Sequence, residues 1–469
     1  MLAGLTVLAA GLRLPFLAAG MGVDEGGYAY VAREWARGGH LYGSLWVDRP
    51  QGLLLAYRFL LHISDSAWAI RLGAVLAGAA VTLLVGTIGW LLRSRATGIA
   101  AAAIYAVVGV GPHIEGFTFN GELAAAVPAT AAIAAALGWR RTRRRALLVA
   151  AGALGATAIL MKQSGFDGLA LAVVIAVAVP GLARQRLGRL GLVLGGAALP
   201  LAAAVANGIA AGWSDYWHAV VGWRVGGEVS TIAQHRPARL GTSLVTAAPD
   251  LLVLGCIALA GVVICVRRRG ALRLAPLWLL VALVGFNVGG LYWPHYYVQL
   301  VAPLSLLAAI AASELRRRPA RVAIAAAAMA PVAVTLVGWA LLSPAGRERV
   351  VPYVHDYQRD QRIAGFLRAN TLPRDTIYTL SSQGDVYFLA DRRSAERYLW
   401  AHPLKEIKGG LAGLRAALAG PRQPEFVAVF RPPLRVDHSG RLASVLARNY
   451  RFRWRVPGSR AYVLQARRS

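Results

Sequence analysis

Charge, cysteine and lysine are all scarce in this chain of 469 residues. Only 16% of the residues are charged and 57% are hydrophobic, with a mean hydropathy of +0.50. That excludes an ordinary soluble globular chain, whose apolar share is nearer half. The two cysteines, Cys256 and Cys265, stand nine residues apart on one predicted helix, roughly 13 Å of rise, which excludes a disulfide between them; neither suggests a metal site. No Gly-rich phosphate loop, CxxC pair, HExxH or GxSxG element occurs, which argues against nucleotide-dependent chemistry. Acids number 22 against 51 basic residues, a net charge of +29, and lysine is nearly absent, with Lys162, Lys405 and Lys408 alone.

What is present is a series of long apolar runs with arginines gathered in the short loops between them. The clusters are Arg93 and Arg95; Arg140 to Arg145; Arg184, Arg186 and Arg189; Arg267 to Arg269 with Arg273; and Arg316 to Arg318 with Arg321. Basic residues in short loops mark the cytoplasmic side of a membrane protein, so the excess reports topology and not a nucleic-acid partner. Spans are predicted at about 2–19, 66–92, 97–113, 120–139, 146–162, 168–183, 190–211, 246–266, 274–291, 296–314 and 322–343, about eleven in all. The first lacks a basic n-region and is interrupted by Arg13 and Pro15, so it reads as an uncleaved span and not a signal peptide. With the N-terminus cytoplasmic, every arginine cluster falls inside, and the loops 20–65, 112–119, 163–167, 212–245 and 292–295 fall outside. Two short helices, about 27–37 and 51–62, are expected to lie in the interface.

From about residue 344 the composition turns mixed, and no later run is long enough to cross a bilayer. Residues 344–469 therefore read as a soluble α/β domain on the outer face, following a membrane domain at 1–343. Helices are expected at 356–369, near 384–390, around 404–419 and at 440–449, and strands at 376–380, 425–430, 450–456 and 461–465. The loop 212–245 mixes Trp213, Trp217 and Trp223 with Asp215, His218, Arg224, His235, Arg236 and Arg239, and is expected to lie along the membrane over a cavity.

The acids concentrate in the first outer loop, where Asp24 and Glu25 open it and Asp48-Arg49-Pro50 closes it. Acids at that place also suit a helix start, where they meet the positive dipole end. Lys162 is the single lysine in the first 400 residues and ends an apolar run, where a charge is costly unless it reaches water or a partner; snorkelling to the interface would satisfy it too. His295, between Pro294 and Tyr296, could equally be an interfacial group beside Trp293 and Tyr297. Glu122 stands at a helix start and, with Asp24, is a candidate oxygen pair for a divalent metal cation.

In order and sidedness, Asp24-Glu25 with Tyr28, Asp48-Arg49-Pro50, Glu122, Lys162 and Pro294-His295-Tyr296-Tyr297 resemble the outer-face elements of the GT-C superfamily of polyprenyl-phosphate-sugar-dependent glycosyltransferases. The branch they look like is that of the protein O-mannosyltransferases and the lipid A aminoarabinose transferases, including actinobacterial cell-envelope enzymes. Arg49 stands where a lysine is usual, Gln51 where a second proline is common, and Glu122 where many members have Asp. The resemblance implies an α-helical polytopic membrane protein with an extracytoplasmic C-terminal domain and Asp24 and Glu25 as catalytic residues, Asp24 as the general base. It implies Asp48, Arg49, Lys162, His295 and Tyr296 around the donor phosphate, and Glu122 toward an acceptor or metal. Chemistry points the same way, because sugar transfer from a lipid phosphate needs a carboxylate to take the acceptor's proton and cations to hold the departing phosphate. The expected function is thus inverting transfer of a sugar from a polyprenyl-phosphate donor to a cell-envelope glycan, lipid or protein. The rival is a non-enzymatic lipid or solute transporter; transporters tend to show internal repeats and midplane charges, whereas the charges here collect at one face. A catalytically dead relative serving in assembly is a third reading, against which both Asp24 and Glu25 are retained.

Overall fold

A computed structural model describes residues 1–223, 235–268, 270–343, 346–347 and 357–467. The apolar runs form helices α1 (Leu2–Gly11), α4 (Ala67–Leu92), α5 (Arg95–Val108), α6 (Gly121–Thr142), α7 (Ala146–Met161), α8 (Asp167–Ala178), α9 (Ala183–Ala210), α11 (Arg236–Arg267), α12 (Leu274–Val288), α13 (Val298–Glu314) and α14 (Arg318–Leu341). Short helices α2 (Val23–Ala36), α3 (Gln51–Ile63) and α10 (Trp213–Trp217) lie among them. Among the described residues seven helical segments are long and apolar enough to cross a membrane, while those starting at Leu2, Arg95, Ala146 and Asp167 are shorter. All eleven predicted runs are helical over most of their length, and seven of them have the length and composition of a span.

The helices pack through small residues, since apolar side chains gain little by leaving lipid for one another and close backbone approach supplies the contact. A Cβ on Gly152 of α7 would fall on the carbonyl of Val193, and one on Gly196 of α9 on that of Val149, so α7 and α9 meet backbone to backbone. Leu199, Leu252, Leu259, Val334 and Leu341 remain exposed on the outer helix faces, as suits side chains that meet lipid.

Three expectations need correction. The first span is not continuous to residue 19: α1 stops at Gly11, and Leu14–Phe16 is a 3-10 turn. Arg13, only 1% exposed, instead spends its guanidinium on the carbonyls of Ala9 and Gly109, at 3.2 and 2.5 Å. The helix preceded by loop 212–245 begins at Arg236, ten residues before the expected start, and Arg224 lies outside the described residues. And α2 does not lie open in the interface, because every residue from Glu25 to Glu34 is buried.

What covers α2 is the C-terminal part of the chain. There β1 (Thr376–Leu380), β2 (Arg393–Ser394), β3 (Phe426–Val429), β4 (Tyr450–Arg455) and β5 (Tyr462–Ala466) form one sheet in the order β2-β1-β3-β5-β4. The first three strands run parallel, and β5 is antiparallel to both β3 and β4. Around it stand α15 (Tyr357–Ala369), α16 (Gly384–Ala390), α17 (Ala401–Glu406), α18 (Gly410–Ala419), α19 (Pro433–Val436) and α20 (Arg441–Asn449). The expected helix 404–419 is two helices: Ile407 turns extended and ends the first, and Gly409, left-handed at φ 85°, redirects the chain into the second. Strand β2 was not foreseen: a two-residue polar strand carries no alternation. The boundary expected at residue 344 lies outside the described residues.

Helix α16 docks on α2 at glycine. A Cβ on Gly26 would lie 2.2 Å from the Cα of Asp385, and one on Gly384 2.6 Å from the Cα of Gly27. Around this contact Arg33 donates to the Phe388 carbonyl at 2.9 Å, and Glu34 takes Arg393 at 3.1 Å. Because backbone and not a flexible side chain opposes the new atom, Gly26→Val is expected to weaken docking by about 1–3 kcal/mol. Hydrogen exchange should then rise in α2 and α16 together; unchanged protection in both would refute the contact.

Candidate active site

The sequence-predicted residues converge where α2, the 46–50 loop and the starts of α6 and α13 meet the C-terminal domain. A cavity of about 530 Å³ lies there, lined among others by Asp24, Tyr28, Asp48, Arg49, His295 and Trp400. Glu122 opens α6 and Lys162 follows the last residue of α7, so the α6–α7 hairpin brings them together at one end. The arginine-rich turn 143–145 is at the other end, about 30 Å away along α6. Charge is thereby sorted along the helix axes. At the arginine end, Arg93 and Arg268 share Glu314 at 2.6 and 2.7 Å.

Asp24 and Glu25, adjacent in sequence, have opposite surroundings. A helical step of about 100° per residue points them to different neighbours. Glu25 is 1% exposed and forms a 2.9 Å ion pair with Arg71, itself 1% exposed. It also accepts the backbone N–H groups of Phe119 at 2.7 Å and Gly22 at 3.3 Å. Burial pushes its carboxyl above the usual range, with Arg71 and the two N–H groups opposing. The Asp24 side chain is 28% exposed, and the Trp400 indole N–H donates to its Oδ1 at 2.8 Å, which leaves Oδ2 facing His295 Nε2 at 3.8 Å.

The cations are placed around this acid. Lys162 pairs with Glu122 and lies 3.8 Å from the Tyr296 ring centroid, a cation–π contact. Arg49 pairs with Asp48 at 2.7 Å and stacks over the Tyr28 ring at 5.5 Å. Their loop is held from behind: Tyr42 donates to the Arg49 carbonyl at 3.1 Å, and Gln163 to the Asp48 carbonyl at 2.8 Å. His295 Nε2 is 3.8 Å from both Asp24 and Glu122, and Nδ1 is 3.0 Å from Glu115.

A divalent cation does not fit this set. Glu122 is matched by Lys162, and among the described residues no group of three or more His, Cys, Asp or Glu side chains is arranged to hold a metal ion.

Glu115 and Trp400 are among the lining residues that escaped the sequence reading. Glu115 sits in the loop between α5 and α6, and an acid there was the available signal. Trp400 is 376 residues from Asp24, and nothing local marks it. Of loop 212–245, Trp223 reaches the cavity, packed edge-on against Trp46 at 5.5 Å.

No protein-family model and no curated protein matches the sequence, but its structure is similar to solved ones. With ArnT from Cupriavidus metallidurans bound to undecaprenyl phosphate the TM-score is 0.63 at 15% identity, over 99% of this chain and 97% of that one. With the apo state of the same protein it is 0.61 at 16%, over 98% and 96%. With the archaeal oligosaccharyltransferase AglB from Archaeoglobus fulgidus, in complex with an inhibitory peptide and a dolichol-phosphate, it is 0.54 at 11%, over 99% of this chain and 74% of that one. Shared architecture over nearly the whole length, from the first helix to the terminal sheet, gives this polytopic membrane protein the fold of ArnT and AglB.

Proposed function

We propose that the protein is an inverting membrane glycosyltransferase that moves a hexosyl or pentosyl group from a polyprenyl-phosphate carrier to a cell-envelope glycan, lipid or protein. The reaction would take place on the outer face of the cytoplasmic membrane, with the C-terminal domain extracytoplasmic. The observation that carries this reading is the contrast between the adjacent acids. Glu25 is spent on Arg71, while Asp24 turns an oxygen toward a cavity whose other walls carry Arg49 and His295, with the Lys162–Glu122 pair next to His295. The carriers bound by ArnT and AglB support the same class of donor.

In this reading the acceptor hydroxyl attacks the anomeric carbon opposite the phosphate, and Asp24 takes its proton as the new bond forms. The bond to the phosphate oxygen breaks with its electron pair, and Arg49 and Lys162 stabilise the departing phosphate. One displacement inverts the anomeric centre. Glu25 is then a structural residue that fixes the start of α2, and Tyr296 seats Lys162 through its ring face.

The test is incubation of purified protein with radiolabelled polyprenyl-phosphate sugars and extracted envelope fractions. Label should reach an envelope product, and release of free carrier phosphate should accompany it. Passage of intact labelled donor across a vesicle membrane without transfer would instead establish a transporter. Lys162→Ala is expected to weaken carrier binding and turnover together, since a phosphate-holding cation acts on bound donor and transition state alike. An unchanged affinity for undecaprenyl phosphate would remove Lys162 from the phosphate site.

A further inference from the structure

Three features of the loop before α6 point in one direction. Glu115 is a non-glycine residue in the left-handed region, φ 54° and ψ 32°, directly after the 3-10 turn Pro112–Ile114. Such a conformation costs energy and persists where surrounding contacts hold it. Here Asp250, wholly buried in α11, accepts the N–H groups of His113 and Ile114 at 2.8 and 3.1 Å and takes the His113 ring at 2.9 Å. Fixed in this way, Glu115 meets His295 Nδ1 at 3.0 Å.

A carboxylate at Nδ1 selects the tautomer of an imidazole, because the N–H must point at the acceptor. The other nitrogen of His295 then presents its lone pair at equal distance, 3.8 Å, from Asp24 and Glu122. Glu122 is already matched by Lys162, so Asp24 is the acid this lone pair can serve.

Resting on the reading of Asp24 as the base, we propose that Glu115 and His295 form a proton-relay dyad that clears Asp24 after each transfer. The proton taken from the acceptor hydroxyl passes from Asp24 Oδ2 to His295 Nε2. The imidazolium so formed keeps its Nδ1–H on Glu115 and returns the Nε2 proton to water in the cavity, restoring both groups. The 3.8 Å gap exceeds transfer distance, but catalytic contacts commonly tighten only with substrate in place. Glu115 is a positioning residue in this scheme, acting through His295, and Asp250 stands one step behind it. The charged and titratable groups facing His295 are Glu115, Asp24 and Glu122, with Lys162 behind Glu122 and Tyr296 packed edge-on to the ring at 5.3 Å.

The deciding measurement needs no substrate. In the full chain labelled with ¹⁵N-histidine, His295 is identified among the nine histidines by the signals lost in His295→Gln. The parent should show Nδ1 protonated and Nε2 bare; Glu115→Gln, which still accepts the bond, should keep that tautomer, and Glu115→Ala should lose it. An Nε2–H tautomer in the parent, or an Nδ1–H that survives Glu115→Ala, overturns the proposal. With an active donor and acceptor pair, Glu115→Gln should lower kcat by about 10²-fold at unchanged KM. It should also move the acid limb of the kcat profile to lower pH, which a packing role would not do. Asp24→Asn separates the two ideas: parent turnover in it sinks the base assignment, whereas loss of turnover together with the wrong His295 tautomer sinks the relay alone.

Discussion

Asp24→Asn is expected to reduce sugar transfer by roughly 10²–10⁴-fold while folding and carrier binding survive. Asn keeps the size of the side chain, and its amide oxygen can still accept the Trp400 indole N–H, now 2.8 Å from Oδ1. What it cannot do is take a proton. Turnover and binding should therefore part company: undecaprenyl phosphate should bind Asp24→Asn as it binds the parent, while label no longer reaches an acceptor. Transfer at the parent rate would reduce Asp24 to a helix start. The base would then have to be Asp48 or Glu122, because both Glu25 oxygens are occupied by Arg71 and backbone N–H groups.

The second large effect is on stability. Glu25→Ala leaves Arg71 charged and buried without a carboxylate, with uncharged neighbours that include the carbonyls of Gly20 and Phe117 at 2.7 and 3.4 Å. Breaking a buried ion pair by removing one partner costs about 3–5 kcal/mol, and here it would loosen the start of α2 that carries Asp24. Replacing both residues has a different expected outcome. Burial raises the Glu25 carboxyl even against Arg71, so desolvation is the larger influence on that carboxyl. A Glu25→Leu/Arg71→Met double variant should recover most of the lost stability, since neither charge is then left without its counterpart. Thermal unfolding of parent, single and double variants in the same detergent decides this. A single variant as stable as the parent would show that Arg71 finds other partners, and α2 would then owe its position to the Gly26 contact alone.

Much of the fold was open to reading because it depends on local pattern. Apolar length predicted all eleven membrane-domain helical runs, arginine clustering predicted which loop ends group together, and the order of the acidic and basic elements predicted the architecture shared with ArnT and AglB. Those signals are local because lipid forces each segment to satisfy its own backbone hydrogen bonds, so helices are legible one at a time. The reading failed where backbone polar groups found distant partners. Arg13 ends α1 early by reaching Gly109, and α2 is buried because Gly26 and Gly27 admit α16 from the far end of the chain.

Within the site, the residue types were legible in the sequence alone: Asp24, Arg49, Glu122, Lys162 and His295 were expected together, and the folded chain brings them to one place. The division of labour between Asp24 and Glu25 was decided only by tertiary structure. One acid meets Arg71 and the other the Trp400 indole, contacts set 46 and 376 residues away that no local pattern records. The same holds for Glu115, whose contact with His295 spans 180 residues and depends on a left-handed backbone fixed by Asp250. Spacing along a helix says which residues can share a face, but burial and charge partners come from elements folded over it, and those determine what a carboxylate can do.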